Sequence, residues 1–273
     1  MNIKTLNIKK LSSDLKKIIK TAGNFILDNQ KQELKMSFKG TNDLVTESDE
    51  LSQKLIINRI NKLYPEHHIL AEEDFFKPNN KDQLTWIIDP IDGTTNYAHG
   101  FPYFSVSIAI TYNKIPIIGA VYNPILKELF FAVKDKGAFL NNTQIFCSKP
   151  SNLSNSLLGT GFPYDRNEHP KNNIYNFNKL ILKCQGIRRA GSASLDICSV
   201  ACGRLDGFWE LKLHPWDIAA AALIASEAGA KTKSLSANEN KKFYAADLNI
   251  YCGDIIVCSP IIFNELISEL KEQ

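Results

Sequence analysis

The stretch Trp86-Ile-Ile-Asp-Pro-Ile-Asp-Gly-Thr-Thr-Asn96 runs from apolar residues into two aspartates, Asp89 and Asp92, with Pro90 stiffening the link between them. Gly93, Thr94, Thr95 and Asn96 follow at once and bring backbone and hydroxyl donors. Carboxylates are hard oxygen ligands for a cation such as Mg²⁺, and turn amides receive phosphate oxygens. Side by side in one segment, these groups point to a metal ion that holds a phosphate.

Other acids fit the same chemistry. Glu72 and Glu73 follow the apolar Ile69-Leu70-Ala71, where a strand leaves the core. Asp217 stands between Trp216 and an alanine-rich run, and Asp49 stands at the start of a helical pattern. Each has an ordinary reading as well. Asp49 and Asp217 are good helix N-caps, Glu72 and Glu73 suit a solvated turn, and an aspartate beside proline and glycine suits turn chemistry. The flanks of Asp89 and Asp217 weigh against that reading, because an unpaired carboxylate among Trp, Ile, Pro and Ala carries a large desolvation penalty that a divalent cation removes. Phosphate ester hydrolysis uses two such ions ~3.5–4 Å apart. Asp89 is then the bridge, Glu72 completes one site, and Asp92 and Asp217 complete the other. Thr94 orients the attacking water, with Asp49 accepting its hydroxyl proton. The histidines add little: His67 and His68 are neighbours, and His99, His169 and His214 are isolated, which favours structural or surface roles. Neither a GxxxxGK[ST] loop nor GxGxxG occurs.

The elements that must position these residues follow from periodicity. Leu11, Leu15, Ile18, Ile19, Ala22, Phe25 and Ile26 have helical spacing over residues 11–29, with Ser12, Ser13 and Asp14 as cap candidates. A second helix opens at Ser48 or Asp49 and closes before Pro65. Trp86–Ile88 reads as a buried strand that feeds a carboxylate turn. Residues 105–111, 115–122 and 128–133 read as an antiparallel meander. The second half alternates: a helix at Ser194–Ala201 closed by Gly203, a strand at Phe208–Leu211, a helix from Asp217 to near Gly229, a strand at Ile255–Cys258, and a terminal helix at Phe263–Leu270. The polar stretch after Cys147 places a boundary near residue 146. That gives an α+β half, 1–146, with the antiparallel sheet and most acids, and an α/β half, 147–273, with Asp217. Alternating elements of this kind build layered sheets and helices.

Composition narrows the class. The 273 residues are 44% hydrophobic, enough for one large core or two modest ones. A net charge of +3 gives no nucleic-acid footprint, and the N-terminal lysines spread around helical turns as a solvated face. Six cysteines without a CxxC pair read as reduced thiols of a cytoplasmic protein, and Cys198 and Cys202 as core packing. No apolar h-region opens the chain, and no apolar run approaches the ~20 residues of a membrane span.

The residues also resemble a known family. Lys39-Gly-Thr-Asn-Asp-Leu-Val-Thr-Glu-Ser-Asp49, Ile69-Leu-Ala-Glu-Glu73, the 86–96 segment, Arg189-Ala-Gly-Ser-Ala-Ser194 and Trp216-Asp217-Ile-Ala-Ala resemble, in order, the motifs of the inositol monophosphatase family, in its bacterial SuhB-like branch. The resemblance implies an αβαβα layered sandwich with its site between the halves. It implies lithium-sensitive, Mg²⁺-dependent phosphomonoester hydrolysis with two ions, a third bearing on Glu72. It implies a first ion on Glu72, Asp89 and the Ile91 carbonyl, and a second on Asp89, Asp92 and Asp217. Gly93 and Thr94 amides then grip the phosphate, and Thr94 with Asp49 activates water. Lys39 lies on a loop near the ions. Gly191, Ser192, Ala193 and Glu210 form a polyol-binding wall that Asp92 and Asp217 also reach. Relatives on this scaffold also hydrolyse fructose 1,6-bisphosphate, 3′-phosphoadenosine 5′-phosphate, histidinol phosphate or NADP. A homodimer is implied, and SuhB-like relatives also contact the transcription and rRNA-processing machinery. Two departures stand out: Ala71 where the family usually has glycine, and a short connection from Glu73 to Trp86. The resemblance assigns no role to His214-Pro215.

Overall fold

The computed structural model describes residues 6–30, 36–38, 44–73, 84–235 and 249–270. Lys39 therefore lies outside the described residues, as does most of the connection from Glu73 to Trp86.

The outermost layer is two helices, α1 (Ile8–Asn29) and α2 (Glu47–Leu63), with a short antiparallel pair, β1 (Met36–Phe38) and β2 (Leu44–Thr46), between them in sequence. The helices pack on a seven-stranded sheet of β3 (His68–Ala71), β4 (Leu84–Asp92), β5 (Ser105–Tyr112), β6 (Ile115–Asn123), β7 (Glu128–Val133), β8 (Ala138–Leu140) and β9 (Thr143–Ile145), in that spatial order. Only β3 and β4 pair parallel; the rest is the expected meander, extended by β8 and β9. The short α3 (Thr94–Ala98) follows β4 directly. The remaining elements are β10 (Leu157–Thr160), α4 (Ile174–Leu180), β11 (Gly186–Arg188), α5 (Ala193–Ala201), β12 (Gly207–Glu210), α6 (Pro215–Glu227), β13 (Lys231–Ser234), β14 (Ile255–Cys258) and α7 (Phe263–Glu269). Their five strands form a second sheet in the order β11-β10-β12-β14-β13.

Helices α5 and α6 fill the space between the sheets, and α4 and α7 cover the far face of the second sheet. The layers run helix, sheet, helix, sheet, helix. Strand alternation explains how each sheet serves two cores. Ile87 and Ala109 face α5 and α6, while Trp86, Ile88 and Ile110 face α1 and α2. In the second sheet, Phe208, Ile255 and Val257 face inward, and Trp209 and Ile256 face α7. A helix caught between two sheets is apolar all round, which accounts for the unbroken Ile218–Ala225 run of α6. Gly119 lets β6 approach it closely: a Cβ there would stand 2.7 Å from the Ala220 carbonyl oxygen.

Two local expectations change. Asn7 caps α1, accepting from the Lys10 amide at 3.0 Å, so Ser12, Ser13 and Asp14 lie inside the helix. Asp14 instead takes the Tyr64 hydroxyl at 2.7 Å. The strand at Trp86–Ile88 does not end in a turn: β4 continues through Asp92, with a register shift between Asp89 and Asp92. Pro90 sits in that bulge, where no ladder hydrogen bond is demanded of it. Among the described residues, no helix is long and apolar enough to cross a membrane.

Candidate active site

The bulge at the end of β4 turns both aspartates toward α5 and α6. Asp89, Asp92 and Asp217 each place a carboxylate oxygen within 4.8 Å of the other two. They line a cavity of about 470 Å³, with Glu72, Ile91, Gly93 and Thr94 on the side of the first sheet and Gly191, Ser192, Ala193 and Glu210 on the side of the second. Asp49 lies behind Thr94, with its Oδ1 3.1 Å from the Thr94 hydroxyl. That hydroxyl also stands 3.0 Å from the Ile91 carbonyl oxygen. Every acid singled out from sequence except Glu73 is thus in the cavity or one side chain away from it.

Helix starts hold these acids in place. Asp49 and Asp217 are not N-caps; each sits three residues further in and reaches back. Asp49 Oδ2 accepts the Thr46 amide at 2.8 Å, and Asp217 Oδ2 accepts the His214 amide at 2.6 Å. In this reciprocal arrangement one carboxylate oxygen closes the helix end and the other is left for the cavity. His214 is the N-cap of α6, its ring stacked on Trp216 at 4.6 Å, and Pro215 is the first helical residue, where its missing amide costs nothing. Asp92 is held by the start of α5: it accepts the Ser192 hydroxyl at 2.6 Å, the Ser194 amide at 2.8 Å, the Ala193 amide at 3.2 Å, and the Ser194 hydroxyl. Asp89 Oδ1 accepts the Ile91 amide across the bulge at 3.0 Å.

Burial and mutual repulsion push this set of acids upward. Asp89 is raised well above the usual carboxylate range by burial and then by the charges of Glu72, Asp92 and Asp217. Asp217 is raised in the same way by burial and Asp92, and it hydrogen-bonds Asp89. Asp92 rises through burial, but its four donors oppose the shift. Burial lifts Asp49 to about 6, against the hydrogen bonds from Thr46. It lifts Glu210 to about 8, with Arg189 partly offsetting it. Clustered buried carboxylates are a donor set that suits a hard divalent cation, whose charge would remove both the desolvation and the repulsion. On this ground the residues fit a divalent cation.

Sequence reasoning missed several residues. Asp196, inside α5, is pushed to about 8 by burial and accepts the Tyr103 hydroxyl at 2.8 Å beside the cavity. An acid between Leu195 and Ile197 is the same signal that drew attention to Asp217. Asn96 ties two loops together, donating to the Tyr103 and Ala190 carbonyls at 2.7 and 2.8 Å. Ser194 stands in the 189–194 motif and opens the expected helix, but nothing there marks it as a donor to Asp92. His67, expected to be structural, accepts the Trp86 indole N–H at 3.0 Å.

Known proteins share this sequence pattern and fold. The sequence profile of the inositol monophosphatase family matches residues 8–272. The chain belongs to the inositol monophosphatase family. It is 37% identical over 254 residues to the Nus factor SuhB of Vibrio cholerae, covering 92% of each chain. It is 42% identical over 224 residues to the inositol-1-monophosphatase of Synechocystis, covering 82% of this chain and 75% of that one. In structure it is similar to the inositol monophosphatase of Anabaena, with a TM-score of 0.85 and 36% identity over 97% of this chain and 96% of that one. It is also similar to the extragenic suppressor protein SuhB of Bartonella henselae, with a TM-score of 0.87 and 32% identity over 96% and 99%. The layered sandwich is this family's fold, and membership makes the protein a phosphatase in a family of metal-dependent phosphatases.

Proposed function

We propose that this protein is a Mg²⁺-dependent phosphomonoesterase whose substrate is a small polyol phosphate, inositol monophosphate first. The observation that carries the reading is the meeting of Asp89, Asp92 and Asp217 in one cavity with the Thr94–Asp49 pair. Glu72, Asp89 and the Ile91 carbonyl would hold one ion, and Asp89, Asp92 and Asp217 a second; a third would lie beside Glu72. Bound ions supply Lewis acidity and neutralise charge on the phosphate oxygens.

The chain's own groups do the rest. The amides of Gly93 and Thr94 receive phosphate oxygens at the start of α3. Thr94 Oγ1 orients the attacking water and takes its proton while passing its own to Asp49 Oδ1. Burial has already brought Asp49 to about 6, near the range a general base needs. Glu210 accepts vicinal hydroxyls of the polyol, and Gly191, Ser192 and Ala193 form the adjoining wall. Asp92 and Asp217 reach the same hydroxyls. Lithium inhibition and a homodimer are further parts of this proposal, supported by the family likeness alone. Release of phosphate from inositol 1-phosphate with and without Mg²⁺ tests the activity; folded protein no better than its metal-free blank refutes it. A panel with fructose 1,6-bisphosphate, 3′-phosphoadenosine 5′-phosphate, histidinol phosphate and NADP, ranked by kcat/KM, tests the substrate.

A second role is favoured by the likeness to proteins named Nus factor SuhB: contact with the transcription machinery. Pull-down with an Asp92→Asn variant tests it. Partner capture that survives loss of phosphatase activity separates the two roles, and no capture by either protein rejects the second.

A further inference from the structure

Asp217 enters the cavity from the first turn of α6, and residues 211–214 are the whole connection to that helix from β12. This short segment decides where the helix starts, and so where the Asp217 carboxylate stands. Within it Lys212 has φ of +59°, a left-handed conformation that a residue with a Cβ keeps only when its surroundings hold it. The neighbouring strand supplies the hold. β14 pairs antiparallel with β12, with Ile255 opposite Glu210, so residues 253 and 254 lie beside the connection. Asp254 Oδ1 accepts the Lys212 amide at 2.9 Å, and the Gly253 carbonyl accepts the Leu213 amide at 2.6 Å. The next amide, that of His214, is the one that donates to Asp217 Oδ2. The approach is close: Gly253 has φ of +80°, and a Cβ there would stand 2.8 Å from the Leu213 carbonyl oxygen. Asp254 is buried, and its Oδ2 pairs with the Lys171 ammonium, which fixes how the carboxylate is turned. From the other sheet, the Ser107 hydroxyl donates to the Trp216 carbonyl at 3.2 Å. The start of α6 is thus braced from both sheets.

We propose that Asp254 is a positioning residue for the ion site: it holds Lys212 in the left-handed conformation and so sets the Asp217 carboxylate against Asp89 and Asp92. The inference rests on the reading of Asp217 as an ion ligand. Asp254 is not among the residues that line the cavity, so it acts only through the chain it holds. Without it Lys212 relaxes toward negative φ, Leu213 and His214 turn with it, and the His214 amide moves away from Asp217 Oδ2. Groups that orient a metal ligand in this way change metal affinity by about 10–100-fold when removed. The loss belongs in ion affinity, because the groups that act on the phosphate stay where they are.

The test measures Mg²⁺ binding by calorimetry, and kcat for inositol 1-phosphate at saturating Mg²⁺, in the wild type, Asp254→Ala and the double variant Asp254→Ala/Lys212→Gly. Asp254→Ala raises the Mg²⁺ Kd about tenfold, with kcat at saturation nearly constant. The double variant returns to within about threefold of wild type, since glycine takes the left-handed conformation without a holder. A merely structural Asp254 would lower the melting temperature and leave the Mg²⁺ Kd of the folded protein unmoved. A Kd within about twofold of wild type in folded Asp254→Ala, or a loss that Lys212→Gly does not recover, overturns the proposal. If Asp254→Ala does not fold, Gly253→Ala decides: its Cβ presses on the Leu213 carbonyl and disturbs the same connection, so the Mg²⁺ Kd rises likewise, and an unchanged Kd overturns the proposal. A wild type that binds Mg²⁺ but releases no phosphate sinks the phosphatase reading and leaves the binding test in force. A wild type that binds no Mg²⁺ sinks the ion reading instead. The hold on Asp217 is then judged by hydrogen exchange of the His214 amide in metal-free protein, faster in Asp254→Ala and restored in the double variant, with equal rates in all three overturning it.

Discussion

Asp49→Asn separates what the fold costs from what the chemistry gains. Asp49 is buried, and its carboxyl is lifted from 3.8 to about 6, first by burial, with Glu73 adding repulsion against the hydrogen bonds from Thr46 and Thr94. The folded-state value is the higher one, so between these pH values the folded protein keeps a proton that the unfolded chain has lost. Stability from this group therefore falls as pH rises through 3.8 and is fully lost above about 6. The span from 3.8 to about 6, at about 1.4 kcal/mol per pH unit, comes to about 3 kcal/mol as an upper figure. Asparagine cannot ionise, and its amide oxygen can still accept the Thr46 amide, so lost hydrogen bonds add an offset that does not change with pH. Urea unfolding of chelator-treated wild type and Asp49→Asn between about pH 4 and pH 8 reads the difference directly. The variant should gain on the wild type as pH rises, by up to about 3 kcal/mol near neutrality, while its kcat with Mg²⁺ falls. A difference that stays flat with pH would show that Asp49 does not bear the burial cost assigned to it.

Thr94→Ala should lower kcat ~10²–10³-fold with a smaller change in KM, and Thr94→Ser should recover most of it; a pure KM effect would reduce Thr94 to phosphate binding. In Gly161→Ala the new Cβ would stand 2.0 Å from Glu210 Oε1. The carboxylate must move, so KM for inositol 1-phosphate should rise about tenfold, as in Glu210→Gln, and an unchanged KM would remove Glu210 from the polyol wall. Mg²⁺ should raise the melting temperature, with about 2.7 kcal/mol of stabilisation at a hundredfold excess over Kd. The gain should be larger near pH 8 than near pH 5, because protons compete for the raised acids; a gain independent of pH would place the ion elsewhere.

Much of this fold was written in hydrophobic period. The strands from Ser105 to Val133 and the strand at Ile255–Cys258 alternate or run apolar between clear turn residues, and they lie where that pattern puts them. The short elements β8, β9, β10, β11 and β13 have three or four residues each, too few to show a period. The acids were legible because a carboxylate in an apolar setting needs a reason. Their manner of attachment was not: whether an aspartate caps a helix or reaches back from inside it depends on where the first helical residue falls, a choice of one to three residues. One contact in the cavity lining was illegible for a different reason. The Asp165–Lys212 contact joins residues 47 apart, and nothing in either neighbourhood announces the other.

The way the acids are held also sets the order in which they give up protons. Three helix starts, those of α2, α5 and α6, converge on this cavity, and each presents the positive end of its backbone dipoles to negative charge. The benefit is not shared evenly. Asp92 takes four donors from the start of α5, which stabilise its ionised form. Asp89 has a single amide from Ile91 and faces Glu72, Asp92 and Asp217, while Asp217 gives one oxygen to the His214 amide and meets Asp89 with a hydrogen bond. Two buried acids in that position hold a proton between them, as repelling carboxylates at one site do. Asp92 is thus the acid whose charge the fold supports best, and the Asp89–Asp217 pair is the one an incoming cation must deprotonate. Metal binding should release protons, and Asp217→Asn, which removes one member of the pair, should reduce that release more than Asp92→Asn. Calorimetry of Mg²⁺ binding in buffers of different ionisation enthalpy counts those protons, and equal counts for the two variants would contradict the division of roles drawn from the hydrogen bonds.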